Sequence, residues 1–73
     1  MELDARGLKC PLPILRTKKA LASMQSGGQL RVLADDPAAQ KDIEAFCRQT
    51  GHELLEVQDG PGEGVQTFVL RCR

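Results

Sequence analysis

Apolar residues alternate with polar ones in short runs of this chain and recur at helical spacing in two longer segments. Leu30, Val32 and Ala34 mark a buried strand over Gln29 to Ala34. Phe68, Leu70 and Cys72 alternate through a strand from Val65 to Cys72, and a further strand spans His52 to Gln58. Leu3 sits in a short stretch, Glu2 to Asp4, that reads as a first strand. Between these runs the period changes to that of a helix. Ile14, Thr17, Leu21 and Met24 fall on one side of a helix from about Pro11 to Met24, with Leu15 and Ala22 extending that side. The opposite side carries Leu12, Arg16, Lys19 and Ser23, an exposed basic stripe with an apolar knob at one end. Lys18 falls within the packing arc, so its stem is expected to lie along the edge. A second helix, about Ala38 to Thr50, places Ala39, Ile43, Phe46 and Cys47 on one face.

The punctuation agrees with this division. Gly27-Gly28 ends the first helix, and Gly51 is a natural stop for the second. Asp35-Asp36-Pro37 supplies acidic caps and a first-turn proline. Gly60-Pro61-Gly62-Glu63-Gly64 joins the last two strands as an antiparallel hairpin. Its three glycines resemble a phosphate loop, but no helix follows them, and a phosphate site needs a helix N-terminus there. The order β-α-β-α-β-β predicts a two-layer α/β sandwich: a four-stranded mixed sheet with both helices on one face. Residues 1–73 read as one domain.

Size narrows the function. A chain this short buries only about 60% of its unfolded surface and has no room for a deep substrate cavity. A carrier or binding module fits better than an enzyme with an enclosed pocket. Ten basic and ten acidic residues balance to zero net charge, and Phe46 and Phe68 are the only aromatics. A general nucleic-acid binder would show a basic excess and a stacking platform. Neither a signal peptide nor a long apolar run is present, so the chain is expected to be soluble and cytoplasmic, with no membrane partner. Thiols stay reduced in that compartment.

Three cysteines occur, without a Cys-x-x-Cys pair, and the one histidine, His52, is isolated. No metal site and no cofactor are expected. His52 follows Gly51 as a surface residue and is a weak candidate for catalysis. Cys47 points at the core and Cys72 shares the phase of Phe68 and Leu70, so both read as packing residues.

Cys10 differs. It stands at an element boundary, where functional residues gather, and Pro11 and Pro13 follow it. With Cys10 as N-cap, Pro11, Leu12 and Pro13 occupy the first turn, where prolines lose no intrahelical bond. Only the Leu12 N–H is then free to point at the sulfur. Leu12 also precedes a proline, which disfavours helical dihedrals and predicts an irregular first turn. The helix N-terminus carries roughly half a positive charge, and Lys9 adds a full one. Both favour the thiolate, so the expected thiol pKa lies below the ordinary value near 8.5. Lys9, Pro11, Leu12 and Pro13 are the expected thiolate-supporting residues.

The run Leu3-Asp4-Ala5-Arg6-Gly7-Leu8-Lys9-Cys10-Pro11-Leu12-Pro13 resembles the signature of the TusA, or SirA-like, family, roughly Leu-Asp-x-x-Gly-x-x-Cys-Pro-x-Pro. Asp35-Asp36-Pro37, Phe46-Cys47 and Gly51-His52-Glu53-Leu54 extend the likeness over essentially the whole chain. The resemblance implies a sulfur carrier with the same two-layer fold, similar to the C-terminal domain of translation initiation factor three. Cys10 matches the family cysteine that takes a sulfane sulfur as a persulfide and hands it on. Implied donors are cysteine desulfurases or rhodanese-type proteins. Implied acceptors are relay proteins of tRNA thiolation, molybdenum-cofactor synthesis or sulfur oxidation. Members best known for tRNA thiolation often carry an acidic residue where this chain has Leu12, a departure that bears on partner choice.

On this reading Asp4 and Gly7 shape the loop, and Arg6, Leu12, Arg16 and Lys19 are the expected docking residues. The chain is expected to be a monomer when free, with no direct nucleic-acid contact. Two rival classes remain: a redox sensor passing through Cys10 sulfenic acid, which wants a nearby resolving cysteine, and a ribosome- or nucleic-acid-binding module.

Overall fold

In a computed structural model covering residues 1–73, the chain forms β1 (Glu2–Asp4), α1 (Leu12–Ala22), β2 (Gln29–Ala34), α2 (Ala39–Thr50), β3 (Glu53–Asp59) and β4 (Gln66–Arg71). The four strands make one mixed sheet in the order β1-β2-β4-β3. β1 runs parallel to β2, and the other two pairings are antiparallel. The sheet and its two helices form the expected α+β sandwich.

The core lies between the helices and one sheet face. Leu30, Val32 and Ala34 from β2 meet Phe68, Leu70 and Cys72 from the β4 segment, under Leu21 of α1 and Ala39, Ile43 and Cys47 of α2. Cross-strand register aligns these positions: Leu30 opposes Leu70, and Val32 opposes Phe68. β3 contributes Leu54 and Val57, three residues apart, which strict alternation would place on opposite faces. A bulge between Leu54 and Glu56 resolves this. Leu55 is the extra residue, left 39% exposed, and the strand resumes in the right phase.

Helix α1 departs from the expected limits at both ends. Its N-cap is Pro11, not Cys10, and the Leu12 N–H donates to Lys9 O at 2.8 Å. At the other end the Ser23 and Met24 N–H groups bond Ala20 O and Leu21 O, three residues back. That tightening ends the α-helix at Ala22, two residues before the expected stop. The buried line of α1 is Pro13, Thr17 and Leu21, with Ile14, Ala20 and Met24 packed alongside. Thr17 satisfies its hydroxyl on Pro13 O at 2.8 Å. Leu15 and Ala22, expected on the packing side, are exposed; Leu15 lies about 160° around the helix from Thr17 and turns to the stripe of Leu12 and Lys19.

Parallel pairing of β1 with β2 sets the location of the site. Asp4 and Leu33 are aligned, so both strands end side by side. The loop after β1 and the turn after β2 therefore leave the sheet together, and each leads into the first turn of a helix.

Candidate functional site

The loop between β1 and α1 is held from two sides. Ala5 is fully buried and extends the strand pairing by donating to Leu33 O at 2.7 Å. Arg6 doubles back on Asp4: its Nε and Nη2 donate to the carboxylate at 2.9 and 2.7 Å, and its backbone N–H adds a third bond at 3.1 Å. The Arg6 side-chain bonds, followed by the backbone bond, hold the Asp4 carboxyl at about 2. Gly7 adopts φ 81°, a left-handed conformation that favours glycine, and its N–H is shared between both Asp35 carboxylate oxygens at 3.0 Å. Leu8 then packs against the core.

Cys10 follows, exposed, at the end of a groove of about 380 Å³ between residues 7–10 and Asp35–Pro37. Its N–H donates to Asp36 Oδ2 at 2.5 Å, while Asp36 Oδ1 accepts the Ala38 N–H at 3.0 Å. Asp36 thus begins the turn into α2 and fixes the Cys10 backbone with the same carboxylate. The Cys10 thiol donates to Asp42 Oδ2 at 3.0 Å, from the first turn of α2.

This geometry reverses the expected electrostatics. The Cys10 thiol is pushed above its ordinary pKa, first by the hydrogen bond to Asp42, then by burial and by the Asp42 and Asp36 charges. Lys9 does not offset these, and Leu12 directs its N–H to Lys9 O rather than to the sulfur. Pro11 and Pro13 shape the first turn, Pro13 is buried beneath it, and none of the four hydrogen-bonds the Cys10 sulfur, whose bond goes to Asp42. Asp42 decides because it reaches the thiol directly, with Asp36 on the neighbouring Cys10 N–H, whereas α1 begins two residues beyond the sulfur-bearing residue.

The remaining expected residues separate. Leu12 is 45% and Leu15 52% exposed, and they share a face with Arg16 and Lys19 beside the Cys10 loop. Arg6 does not join that face. Its guanidinium is engaged by Asp4, and it lines a cavity with Leu33, Thr67 and Pro61 toward the sheet side without helices. Cys47 and Cys72 are buried free thiols, as their phase predicts. Burial raises the Cys47 thiol pKa. His52 is half-buried rather than a plain surface residue: it stacks on Phe46 at 5.5 Å and its Nδ1 accepts the Arg73 N–H at 2.9 Å. No group of three or more metal-ligating side chains comes together.

The chain matches the family described as sulfurtransferase TusA over residues 1–72. It belongs to the TusA family. A putative sulfur carrier protein of Neisseria meningitidis is 61% identical over 69 residues, covering 94% of this chain and 90% of that protein. The sulfur carrier protein TusA of Allochromatium vinosum is 56% identical, covering 85% and 82%. Among solved structures, a SirA-like protein of Desulfitobacterium hafniense superposes with a TM-score of 0.84 at 30% identity, covering 96% of this chain and 93% of the other. The family supports a sulfur-carrier role and some form of sulfur transfer between partners, and no helix is long and apolar enough to cross a membrane.

Asp35, Asp36 and Asp42 are the site residues that sequence reasoning missed. Asp35-Asp36 was visible as a capping pair, and its second task needed the parallel pairing of β1 with β2. Asp42 reads in sequence only as an acidic residue in the first turn of a helix.

Proposed function

We propose that this protein carries sulfane sulfur as a persulfide on Cys10 and relays it between a donor and an acceptor protein. One observation carries the reading: Cys10 is the exposed thiol of the three, at the edge of a groove, with both its N–H and its S–H held by side chains of α2 and the turn before it. In loading, the Cys10 sulfur attacks the outer sulfur of a donor R–S–SH. A Cys10 S–S bond forms, the donor S–S bond breaks, and its electron pair stays on the donor sulfur, which takes the Cys10 proton and leaves as R–SH. An acceptor thiol reverses the process. Sulfane sulfur moves without net oxidation.

A carrier needs an open thiol rather than a cavity, since its partner closes the site. Candidate donors are cysteine desulfurases and rhodanese-type proteins, and the setting is the cytoplasm. The exposed face of α1 with Leu12, Leu15, Arg16 and Lys19 is the proposed docking surface. The buried state of Cys47 and Cys72 speaks against a redox sensor, which would want a resolving thiol within reach.

Incubation with a persulfide donor is expected to add about 32 Da, one sulfur atom, to the peptide that contains Cys10. Cys10→Ser is expected to abolish the adduct and keep the fold. An adduct that persists in that variant, or maps to Cys47, overturns the assignment.

A further inference from the structure

Sulfur exchange at Cys10 requires a thiolate, yet Cys10 Sγ sits 3.0 Å from Asp42 Oδ2. An ionised carboxylate only accepts hydrogen bonds, so this contact exists while the sulfur keeps its proton. Once the proton leaves, two negative charges face each other at the same distance. The surroundings do little to cancel them. Asp36 lies on the Cys10 N–H and Asp35 on the groove wall, whereas Lys9 is the one cation lining the groove and Arg6, in the same loop, is paired with Asp4. The first turn of α1 adds no charged group, since residues 12–15 are Leu, Pro, Ile and Leu.

Resting on the persulfide reading above, we propose that Asp42 is a catalytic residue of the sulfur exchange: it binds the Cys10 proton in the unloaded carrier and repels the persulfide anion in the loaded one, biasing the exchange toward release.

The balance of the step makes the bias explicit. A persulfide is more acidic than the parent thiol, so the loaded carrier holds Cys10–S–S⁻ beside the Asp42 carboxylate. It has lost the S–H bond to Asp42 and gained a like charge. An acceptor thiolate attacks the outer sulfur, forming the new S–S bond. The old S–S bond breaks, its electron pair stays on Cys10 Sγ, and that sulfur takes a proton released as the acceptor thiol ionises or from solvent. Cys10–S–H then regains its hydrogen bond to Asp42. The unloaded side of the equilibrium gains a contact, and the loaded side carries a repulsion. The same device leaves the empty carrier largely protonated near neutral pH, shielding an exposed thiol from adventitious alkylation and oxidation.

Asp42→Asn tests this because it removes the charge and keeps the shape. Two unit charges at this distance are worth about one pH unit even at the dielectric constant of water. The iodoacetamide midpoint of Cys10, followed on its own peptide by mass spectrometry, is therefore expected to fall by about one unit. At a fixed ratio of glutathione persulfide to glutathione, the loaded-to-unloaded ratio of the variant is expected to rise severalfold, less than the alkylation shift alone implies because the persulfide charge sits on the outer sulfur. Asp42→Ser carries both expectations and serves if the Asn variant does not fold by circular dichroism. Asp36→Asn, which leaves the thiol's own acceptor in place, is expected to move both readouts less. A purely structural Asp42 moves neither, and a folded variant with the wild-type midpoint or the wild-type loading ratio overturns the proposal. The alkylation readout involves no sulfur transfer, so its failure is distinct from a failure of Cys10 to load.

Discussion

The Cys10 amide and the Ala38 amide are held by opposite oxygens of one carboxylate, that of Asp36, at 2.5 and 3.0 Å. The cysteine loop and the start of α2 are therefore one mechanical unit. Asp36→Ala removes both bonds at once. By analogy with the loss of a helix cap, the cost is expected to be about 0.5–2 kcal/mol. Denaturant unfolding reads that cost, and amide exchange reads its location: the Cys10 and Ala38 amides are expected to exchange faster, while those of β2 and β4 follow the global stability alone.

Cys10 is expected to alkylate with a midpoint above the ordinary thiol value near 8.5. The sign follows from the site: Asp42 and Asp36 disfavour the thiolate, so the proton is held to higher pH. Near neutral pH the free protein should then react with iodoacetamide more slowly than an unperturbed cysteine. A profile of rate against pH on the Cys10 peptide checks this, and a midpoint below the ordinary value would restore the helix field as the dominant influence.

The two levels of organisation were not equally legible in the sequence. Strand phase was, because Leu30, Val32 and Ala34 alternate without interruption and so do Phe68, Leu70 and Cys72. α2 was legible too, since Ala39, Ile43 and Cys47 recur at one helical spacing and Gly51 closes it in the left-handed conformation. α1 was harder. Its buried line passes through Pro13 and Thr17, residues that a hydrophobic pattern discounts, while the apolar Leu12 and Leu15 face solvent. Cys10 was legible from its local motif. Its chemistry was not, because the groups that set it lie 26 and 32 residues away in sequence and meet it only through the parallel pairing of β1 with β2.

The bulge in β3 is expected to be dispensable for packing. Deleting Leu55 leaves Leu54, Glu56 and Val57 in sequence, which alternate in, out and in without help. Their partners Leu70, Val69 and Phe68 already run in that order. Deletion of Leu55 is therefore expected to keep the fold, with a stability change of about 1 kcal/mol or less. Deleting Val69 from the regular strand β4 is the contrasting case. It makes Phe68 and Leu70 neighbours, turns one of them away from the core, and is expected to abolish cooperative unfolding.

Ile43 is the test of how much core this small chain can lose. It is fully buried between α2 and the sheet. Ile43→Ala is expected to cost about 2–5 kcal/mol through lost burial and a residual cavity. A chain of 73 residues has roughly 4–11 kcal/mol of stability at typical values per residue. The variant should lose about half of that stability, visible as a lowered urea midpoint with a shortened native baseline. Leu55→Ala, at the exposed bulge, is expected to change stability by about 0.5 kcal/mol or less.

The exposed face of α1 is expected to choose the protein partner without touching the chemistry. Leu12 and Leu15 place apolar surface beside the Cys10 loop, and Arg16 and Lys19 add two positive charges to the same face. Only a partner that covers Cys10 can exchange sulfur with it, so a surface adjoining the thiol is well placed to bind that partner. Covering one leucine supplies about 1.5–3 kcal/mol at most, whereas the basic pair acts mainly on the encounter rate with an acidic surface. Arg16→Glu combined with Lys19→Glu is thus expected to slow loading by a protein donor about tenfold or more at low salt, with the difference shrinking as salt is raised. Leu15→Ala should instead weaken the complex with little change in salt dependence. Loading by inorganic polysulfide should stay close to wild type in all three substitutions, because that reaction needs the Cys10 sulfur and no docking face. Stopped-flow loading with each donor separates the cases. A parallel fall in both reactions would mean that the stripe acts through Cys10 or the fold, and no change in either would place the docking surface elsewhere.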